Sequence, residues 1–212
     1  ERLEMKLTGM LGVPEQALLT KSVKTIVDQV DAMKRLVNEF RDYARLPSAD
    51  LQSVDLNALV MDVLNLYGSE NASVPVQPDL DPDNPPILGD AQQLRQVIHN
   101  LLQNAQDATE SATAEGRTPQ SVTVRTHRST SSGRVRLSVL DHGTGFPEHI
   151  LKRAFEPYVT TKTKGTGLGL AVVKKIADEH GARIDLSNRV TDGIVQGAQV
   201  SLSFAIDPNV VV

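Results

Sequence analysis

Asp141-His-Gly-Thr-Gly-Phe-Pro147 is a carboxylate followed by two glycines one residue apart, and it stands between two other marked stretches. Upstream lies Asn100-Leu-Leu-Gln-Asn-Ala-Gln-Asp-Ala108, and downstream lies Gly165-Thr-Gly-Leu-Gly-Leu170. A carboxylate at a strand end, beside a backbone that turns tightly, can accept a hydrogen bond from an exocyclic amine such as adenine offers. Glycines there let the chain approach a flat ring closely. Taken alone, Asp141–Gly145 suits an ordinary turn after a strand as well as it suits a nucleotide. The downstream glycines lead into Ala171-Val-Val-Lys-Lys-Ile-Ala177, which reads as a helix. Free N–H groups and the positive end of a helix dipole suit phosphate. The spacing matches neither GxxxxGK[ST] nor GxGxxG, so P-loop and dinucleotide-fold readings lose support.

The upstream stretch sits on a helix. From Asp90 the apolar residues Leu94, Val97, Ile98, Leu101, Leu102, Ala105 and Ala108 recur at helical spacing. Asn100 and Asn104 share a face away from much of that stripe. Asn is a mediocre helix former, so two on one face need a reason. An amide oxygen is a hard ligand suited to Mg²⁺, which takes few protein groups alongside phosphate oxygens and water. Without the glycine stretches, a pair of solvated amides is the simpler reading.

In this order, these stretches resemble the boxes of the ATP-binding catalytic part of bacterial sensor histidine kinases. That part belongs to the ATPase superfamily shared with gyrase, a heat-shock chaperone and the mismatch-repair protein MutL. Asn100–Ala108 resembles the N box and Asp141–Gly145 the G1 box. Phe155-Glu-Pro-Tyr-Val-Thr-Thr-Lys162 resembles the F box, and Gly165–Leu170 the G2 box. The resemblance covers Val54 to Phe204. It implies a two-layer α/β sandwich of that ATPase type, preceded by an α-helical hairpin, with domains at 1–47 and 48–212. It implies ATP and Mg²⁺ as cofactors, with Asn104 on the metal and Asn100 and Asn104 as the catalytic pair. The nucleotide would be held by Asn100, Asn104, Asp107, Asp141, Gly143, Gly145, Tyr158, Thr161, Lys162, Lys164, Gly165, Thr166, Gly167, Leu168, Gly169 and Leu170.

Four positions depart from, or discriminate within, that pattern. Hydrolysing relatives carry Glu one helical turn before the metal-binding Asn. Asn100 stands there and cannot act as a base, which implies a site that holds ATP for transfer. Many histidine kinases carry Lys and an aromatic shortly after the metal Asn, where this chain has Asp107 and Ala108. Phosphate neutralisation then falls to Lys162 and Lys164, which read otherwise as solvated surface lysines. The second glycine usual after the G2 helix is Ala182.

The N-terminal part carries a different pattern. Leu19, Val23, Ile26, Val30, Met33, Val37, Phe40 and Ala44 follow an a/d heptad. The spacing predicts a helix from Glu15 to Leu46, roughly 48 Å long, stopped by Pro47. Leu3, Leu7 and Met10 read as the tail of a preceding helix, with Gly9–Pro14 as the turn. A long arm with an unmatched apolar seam invites a second copy, as in a dimeric four-helix bundle; packing against the larger domain is the alternative. Glu1–Leu7 and Phe40-Arg-Asp-Tyr-Ala-Arg-Leu-Pro47 resemble the dimerisation part of the nitrogen-regulation sensor kinases of the NtrY type. That resemblance implies an acceptor His upstream of Glu1, so that this chain is a fragment unable to phosphorylate itself, and a response-regulator receiver domain as partner. His99, His127, His142, His149 and His180 read as surface or packing residues.

Composition agrees. The chain has 212 residues, 40% hydrophobic but only 3% aromatic, so its core must be aliphatic. A net charge of −4 with both signs mixed does not suggest a nucleic-acid partner. Absence of cysteine excludes disulfides and Cys-type metal sites. No apolar run approaches membrane-spanning length. The resemblance implies a cytoplasmic piece of an inner-membrane-anchored sensor. Leu56–Tyr67 reads as an amphipathic helix. Val74–Gln77, Val122–Thr126, Val135–Leu140, Arg183–Ser187 and Gln199–Ala205 read as strands, and Glu110–Thr118 as a polar loop. Two other functions fit the same chain: a degenerate ATP-binding module that signals by conformation, and a coiled-coil adaptor.

Overall fold

The computed structural model describes residues 12–67, 74–162 and 165–209. The first arm of the expected hairpin, with Leu3, Leu7 and Met10, lies outside the described residues, as does Lys164. Helix α1 (Val13–Ala44) begins with Pro14 in its first turn and ends two residues before Leu46. Pro14 supplies a fixed φ where the missing N–H costs nothing, which places the start earlier than Glu15. None of its apolar side chains is fully buried. Among the described residues at this end of the chain, Tyr43 and Leu46 pack against the main core.

The rest is two layers. One layer is a five-stranded sheet in the order β2 (Val76–Leu80), β4 (Val122–Ser129), β5 (Arg134–Leu140), β7 (Ile194–Ala205), β6 (Arg183–Thr191). β2 and β4 run parallel, and every other pair is antiparallel. The other layer is α2 (Leu56–Tyr67), α3 (Ala91–Ala114) and α5 (Gly169–Glu179). Period-two alternation sends Val122 and Val124, Val135, Leu137 and Val139, and Val200, Leu202 and Phe204 into the helices, while Arg125 and Arg136 face solvent. The core they close is aliphatic apart from Phe204, as the scarcity of aromatic residues required. This is the two-layer α/β sandwich expected from the sequence.

The structure corrects several boundaries. The helix from Asp90 does not stop at a polar loop at Glu110. It continues to Ala114, because Thr109 and Ala112, each 1% exposed, carry the buried stripe two further turns. The first strand of the large sheet runs Val76–Leu80 rather than Val74–Gln77, and β7 begins five residues earlier than expected, at Ile194. A small antiparallel pair, β1 (Gln52–Val54) and β3 (Ile87–Gly89), was not expected at all. At three residues each, these strands are too short to show an alternation. A four-residue helix, α4 (Glu148–Leu151), follows the turn at Pro147.

Candidate functional site

Asp90 starts the machinery by fixing α3. Its Oδ1 accepts the N–H groups of Gln92 (2.9 Å) and Gln93 (3.1 Å), and its Oδ2 accepts that of Asp50 (3.1 Å). Its own N–H donates to His180 Nε2 at 2.9 Å, which ties the start of α3 to the end of α5. With α3 so placed, the half-buried Asn100 and Asn104 look into an open cleft of about 1630 Å³, and Asp141 borders the same space.

Asp141 ends β5 and is 8% exposed. Its Oδ1 accepts two backbone N–H bonds, from Gly143 and Ala198, each 2.9 Å. Both of these bonds go to Oδ1, no hydrogen bond to Oδ2 is made among the described residues, and Asp141 borders the cleft. Burial is the largest influence on this carboxyl and pushes it up; the two backbone bonds, then Arg189 and His142, pull it back without cancelling the rise. His142 is pushed down, first by burial and then by Arg189. The backbone here is crowded. A Cβ on Gly143 would lie 2.8 Å from Ala108 Cβ, and one on Gly197 would lie 2.0 Å from the Asp141 carbonyl oxygen.

Sequence reasoning missed the residues that brace this turn. Arg189 Nη1 donates to Asp141 O at 2.7 Å, and Asn188 both accepts from Phe146 N–H and donates to Phe146 O at 2.8 Å. Thr109 Oγ1 accepts the His142 N–H at 3.1 Å, and Arg117 Nη1 reaches Gly143 O at 2.8 Å. None carries a motif; β6 and the end of α3 reach the turn only through the strand order.

The glycine stretch opposite is a loop turned onto α5. No side chain caps the N-terminus of α5, which faces the cleft through Leu168 and Gly169. A Cβ on Gly169 would meet Asn104 Nδ2 at 3.4 Å, and one on Gly167 (φ +70) would lie 2.6 Å from the Tyr158 carbonyl carbon. Gly167 O accepts the N–H of Tyr158, itself in the left-handed region at φ 66. Tyr158 is 59% exposed and is not part of the cleft wall, whereas Thr161, Lys162, Gly165 and Thr166 are. Lys162 Nζ donates to Asn104 Oδ1 at 3.1 Å and to Asp107 Oδ2 at 2.8 Å. From α1, Glu39 accepts a short hydrogen bond from the Thr166 hydroxyl. The cleft thus gathers Asn100, Asn104, Asp107, Asp141, Gly145, Thr161, Lys162 and Gly165 to Leu170, leaving Tyr158 at its rim and Gly143 behind Asp141.

The donor set fits a magnesium nucleotide. It has one carboxylate oxygen for an amine, two amide side chains for a hard cation, and uncapped helix N–H groups for phosphate. Among the described residues no three His, Cys, Asp or Glu side chains cluster as a metal site, so a metal here would depend on Asn104 and on oxygens brought by the nucleotide.

Residues 89–208 match the family described as histidine kinase-, DNA gyrase B-, and HSP90-like ATPase. The chain is 32% identical over 183 residues to a putative NtrY-like sensor histidine kinase of Rickettsia bellii, covering 86% of this chain and 29% of that protein. It is 32% identical over 188 residues to the nitrogen regulation protein NtrY of Azorhizobium caulinodans, covering 89% of this chain and 24% of that protein. It therefore spans less than a third of these relatives' length. Among solved structures, full-length ShkA in complex with AMPPNP aligns with a TM-score of 0.69 at 28% identity, covering 89% of this chain and 39% of that one.

Proposed function

The chain belongs to the histidine kinase-, DNA gyrase B-, and HSP90-like ATPase family, and from that premise we propose that it is the ATP-binding catalytic part of a two-component sensor histidine kinase. In this reading residues 48–212 bind Mg²⁺-ATP, and residues 1–47 belong to a dimerisation element that pairs with a second copy. Phosphoryl transfer goes to a histidine outside this sequence and then to an aspartate of a response-regulator receiver domain. The observation that carries the reading is Asp141: one oxygen is pinned by two backbone N–H groups, and the other is left for an amine in a cleft shared with Asn100, Asn104 and the uncapped start of α5.

Bound there, Mg²⁺-ATP would supply the phosphoryl group and a metal that neutralises its charge. Asp141 selects and orients the base. Asn104 offers a hard oxygen to the metal, supported by Asn100 one helical turn earlier. The uncapped N–H groups at the start of α5 and the ammonium of Lys162 would serve the phosphates. Asn100 has no basic lone pair with which to activate water, so the arrangement favours transfer over hydrolysis. In this reading the acceptor lies outside the five histidines here, and two of them are structurally engaged. His180 is 6% exposed with both ring nitrogens engaged, by Asp90 N–H and Ile176 O, and His142 backs Asp141. By its similarity to NtrY we assign this part to the cytoplasmic side of an anchored sensor; no helix among the described residues is long and apolar enough to cross a membrane.

The test is Asp141→Asn. The new Oδ1 can still accept from Gly143 and Ala198, so the fold is kept, but Nδ2 then meets the adenine amine donor to donor. Mg²⁺-ATP affinity measured by calorimetry should fall at least about tenfold, as expected when a buried hydrogen bond is replaced by a clash of donors, with an unchanged melting temperature. Equal affinity in a folded variant would remove Asp141 from the site. In the wild type, affinity should weaken on acidification at a higher pH than an ordinary carboxylate would give, because burial raises Asp141. The raised group favours the folded state at low pH and loses that contribution as pH rises, so this loss of binding is not unfolding.

A further inference from the structure

We propose that Asp107 and Lys162 form a charge latch that holds Lys162 on Asn104 until a magnesium nucleotide displaces it; this rests on the reading of the cleft as a Mg²⁺-nucleotide site. Asp107 follows Asn104 by three residues on α3, so the two side chains rise from one face of the helix. Lys162 arrives from the loop before α5, and its Nζ bridges both, 3.1 Å from Asn104 Oδ1 and 2.8 Å from Asp107 Oδ2. The loop is shaped to present it. Thr160 Oγ1 accepts the Lys162 N–H at 3.1 Å, and Gly165 N–H closes the turn onto Lys162 O at 3.2 Å. A Cβ on Gly165 would fall 2.7 Å from Thr160 Oγ1 and 2.9 Å from Lys162 Cβ, so the turn needs glycine there.

Two cations compete for one oxygen. The ammonium takes the Asn104 amide oxygen that a hard dication would use. That oxygen has two lone pairs, yet an ammonium and Mg²⁺ sharing it would be close neighbours of like charge in a partly desolvated cleft. Metal arrival therefore expels Lys162, and the phosphates of the incoming nucleotide give its charge a new partner. Asp107 sets the resistance to that exchange. An anion at this position would by itself repel a triphosphate, and Lys162 masks it while the cleft holds no nucleotide. The side chains are 37% and 49% exposed, so the pair is weak enough to break on binding and adds little to folding. Asp107 is in this sense a positioning residue, acting through Lys162.

A double-mutant cycle decides it, with Mg²⁺-ADP titrated by calorimetry into wild type, Asp107→Asn, Lys162→Met and the double variant. Asp107→Asn should tighten Mg²⁺-ADP by about threefold, the scale of a half-exposed ion pair. The same substitution on the Lys162→Met background should tighten it by clearly less, because only the repulsion of phosphate by Asp107 is relieved there and no latch is left to release. An equal gain in both backgrounds would mean that Asp107 only repels phosphate. A loss of affinity in Asp107→Asn would mean that Asp107 holds Lys162 against bound nucleotide. Either result, or no change, overturns the latch. Failure of the wild type to bind Mg²⁺-ADP at all would instead overturn the nucleotide reading of the cleft. Both positions are half-exposed, so thermal melts should be unaltered, and Asp107→Ser repeats the cycle with a different side chain.

Discussion

Along α1, Ile26, Met33 and Val37 are 62%, 66% and 61% exposed, whereas Leu94, Val97, Ile98 and Leu102 on α3 are fully buried. Both helices carry their apolar residues at helical spacing. What differs is what lies opposite. The stripe of α3 is met by β4, β5, α2 and α5. Near its end α1 meets the domain through Glu39 to Thr166 and the Tyr43 carbonyl to Lys175, and Leu46 just beyond it packs on the core. Periodicity therefore identifies an apolar face, while the topology decides whether the chain itself covers it. An a/d repeat left open over this length is what a partner helix would use, which is why the dimer is part of the proposed function.

The sharpest way to break this contrast is to delete the same kind of side chain from each helix. Leu102→Ala leaves a cavity in a closed core and should cost about 2–5 kcal/mol. Val37→Ala should change the stability of the α/β domain by no more than about 0.5 kcal/mol, because the side chain has no core to leave. Urea unfolding followed at the domain gives both numbers. Comparable losses would mean that α1 packs within the domain's cooperative unit.

A smaller effect sharpens the contrast at the helix starts. Asp90 caps α3 with two N–H bonds, while α1 begins at Gly12 without a side-chain cap. Asp90→Ala should cost about 1 kcal/mol, and Asp90→Asn should restore most of it. Burial opposes ionisation of Asp90, but the N–H bonds from Gln93, Asp50 and Gln92 together hold its carboxyl below the usual range. A depressed folded-state pKa contributes stability above the unfolded value and loses it on acidification through the folded one. The wild type should therefore lose more stability than Asp90→Asn as pH falls across that window. Parallel acid titrations of the two would refute the assignment.

The sequence was most legible where one segment carries its own chemistry. Asp141, Asn104 and the Gly165–Leu170 stretch needed no knowledge of the strand order, and all border one cleft. The two layers followed from alternation in β4 and β5 and from the stripe of α3. It was least legible where distant segments meet. Arg189 and Asn188 brace the Asp141 turn from β6, and nothing in Ser187–Arg189 marks them for it. The end of α3 was misjudged because Thr109 looked polar in sequence yet is buried, its hydroxyl taking the His142 N–H. Tyr158 was assigned to the nucleotide by resemblance, whereas the residue is mostly exposed outside the cleft wall and its contribution to the loop is a backbone bond to Gly167. That Lys162 holds Asn104 and Asp107 together was also invisible, since 58 and 55 residues separate them.

The smallest expected effect concerns the seam between the two regions. Lys175 on α5 donates to the Tyr43 carbonyl at 2.9 Å, and its Nζ lies 5.4 Å from the centre of the Tyr43 ring. It thus places a cation on an unsatisfied carbonyl in the last turn of α1, where the helix dipole is negative, and over an aromatic face. Each such contact contributes about 0.5 kcal/mol at a partly exposed site. That is too little to move the unfolding of the domain and enough to alter fraying of one helix end. Lys175→Ala should leave the urea midpoint of the α/β domain in place and speed amide hydrogen exchange from Arg41 to Leu46. Unchanged exchange there would transfer the attachment of α1 to other links, such as Glu39 to Thr166 and Gln93 Nε2 to Pro47 O at 2.9 Å. A lowered midpoint would instead mean that α1 shares the domain's cooperative unfolding, and the contrast between the two helices would then describe their surfaces and not their stabilities.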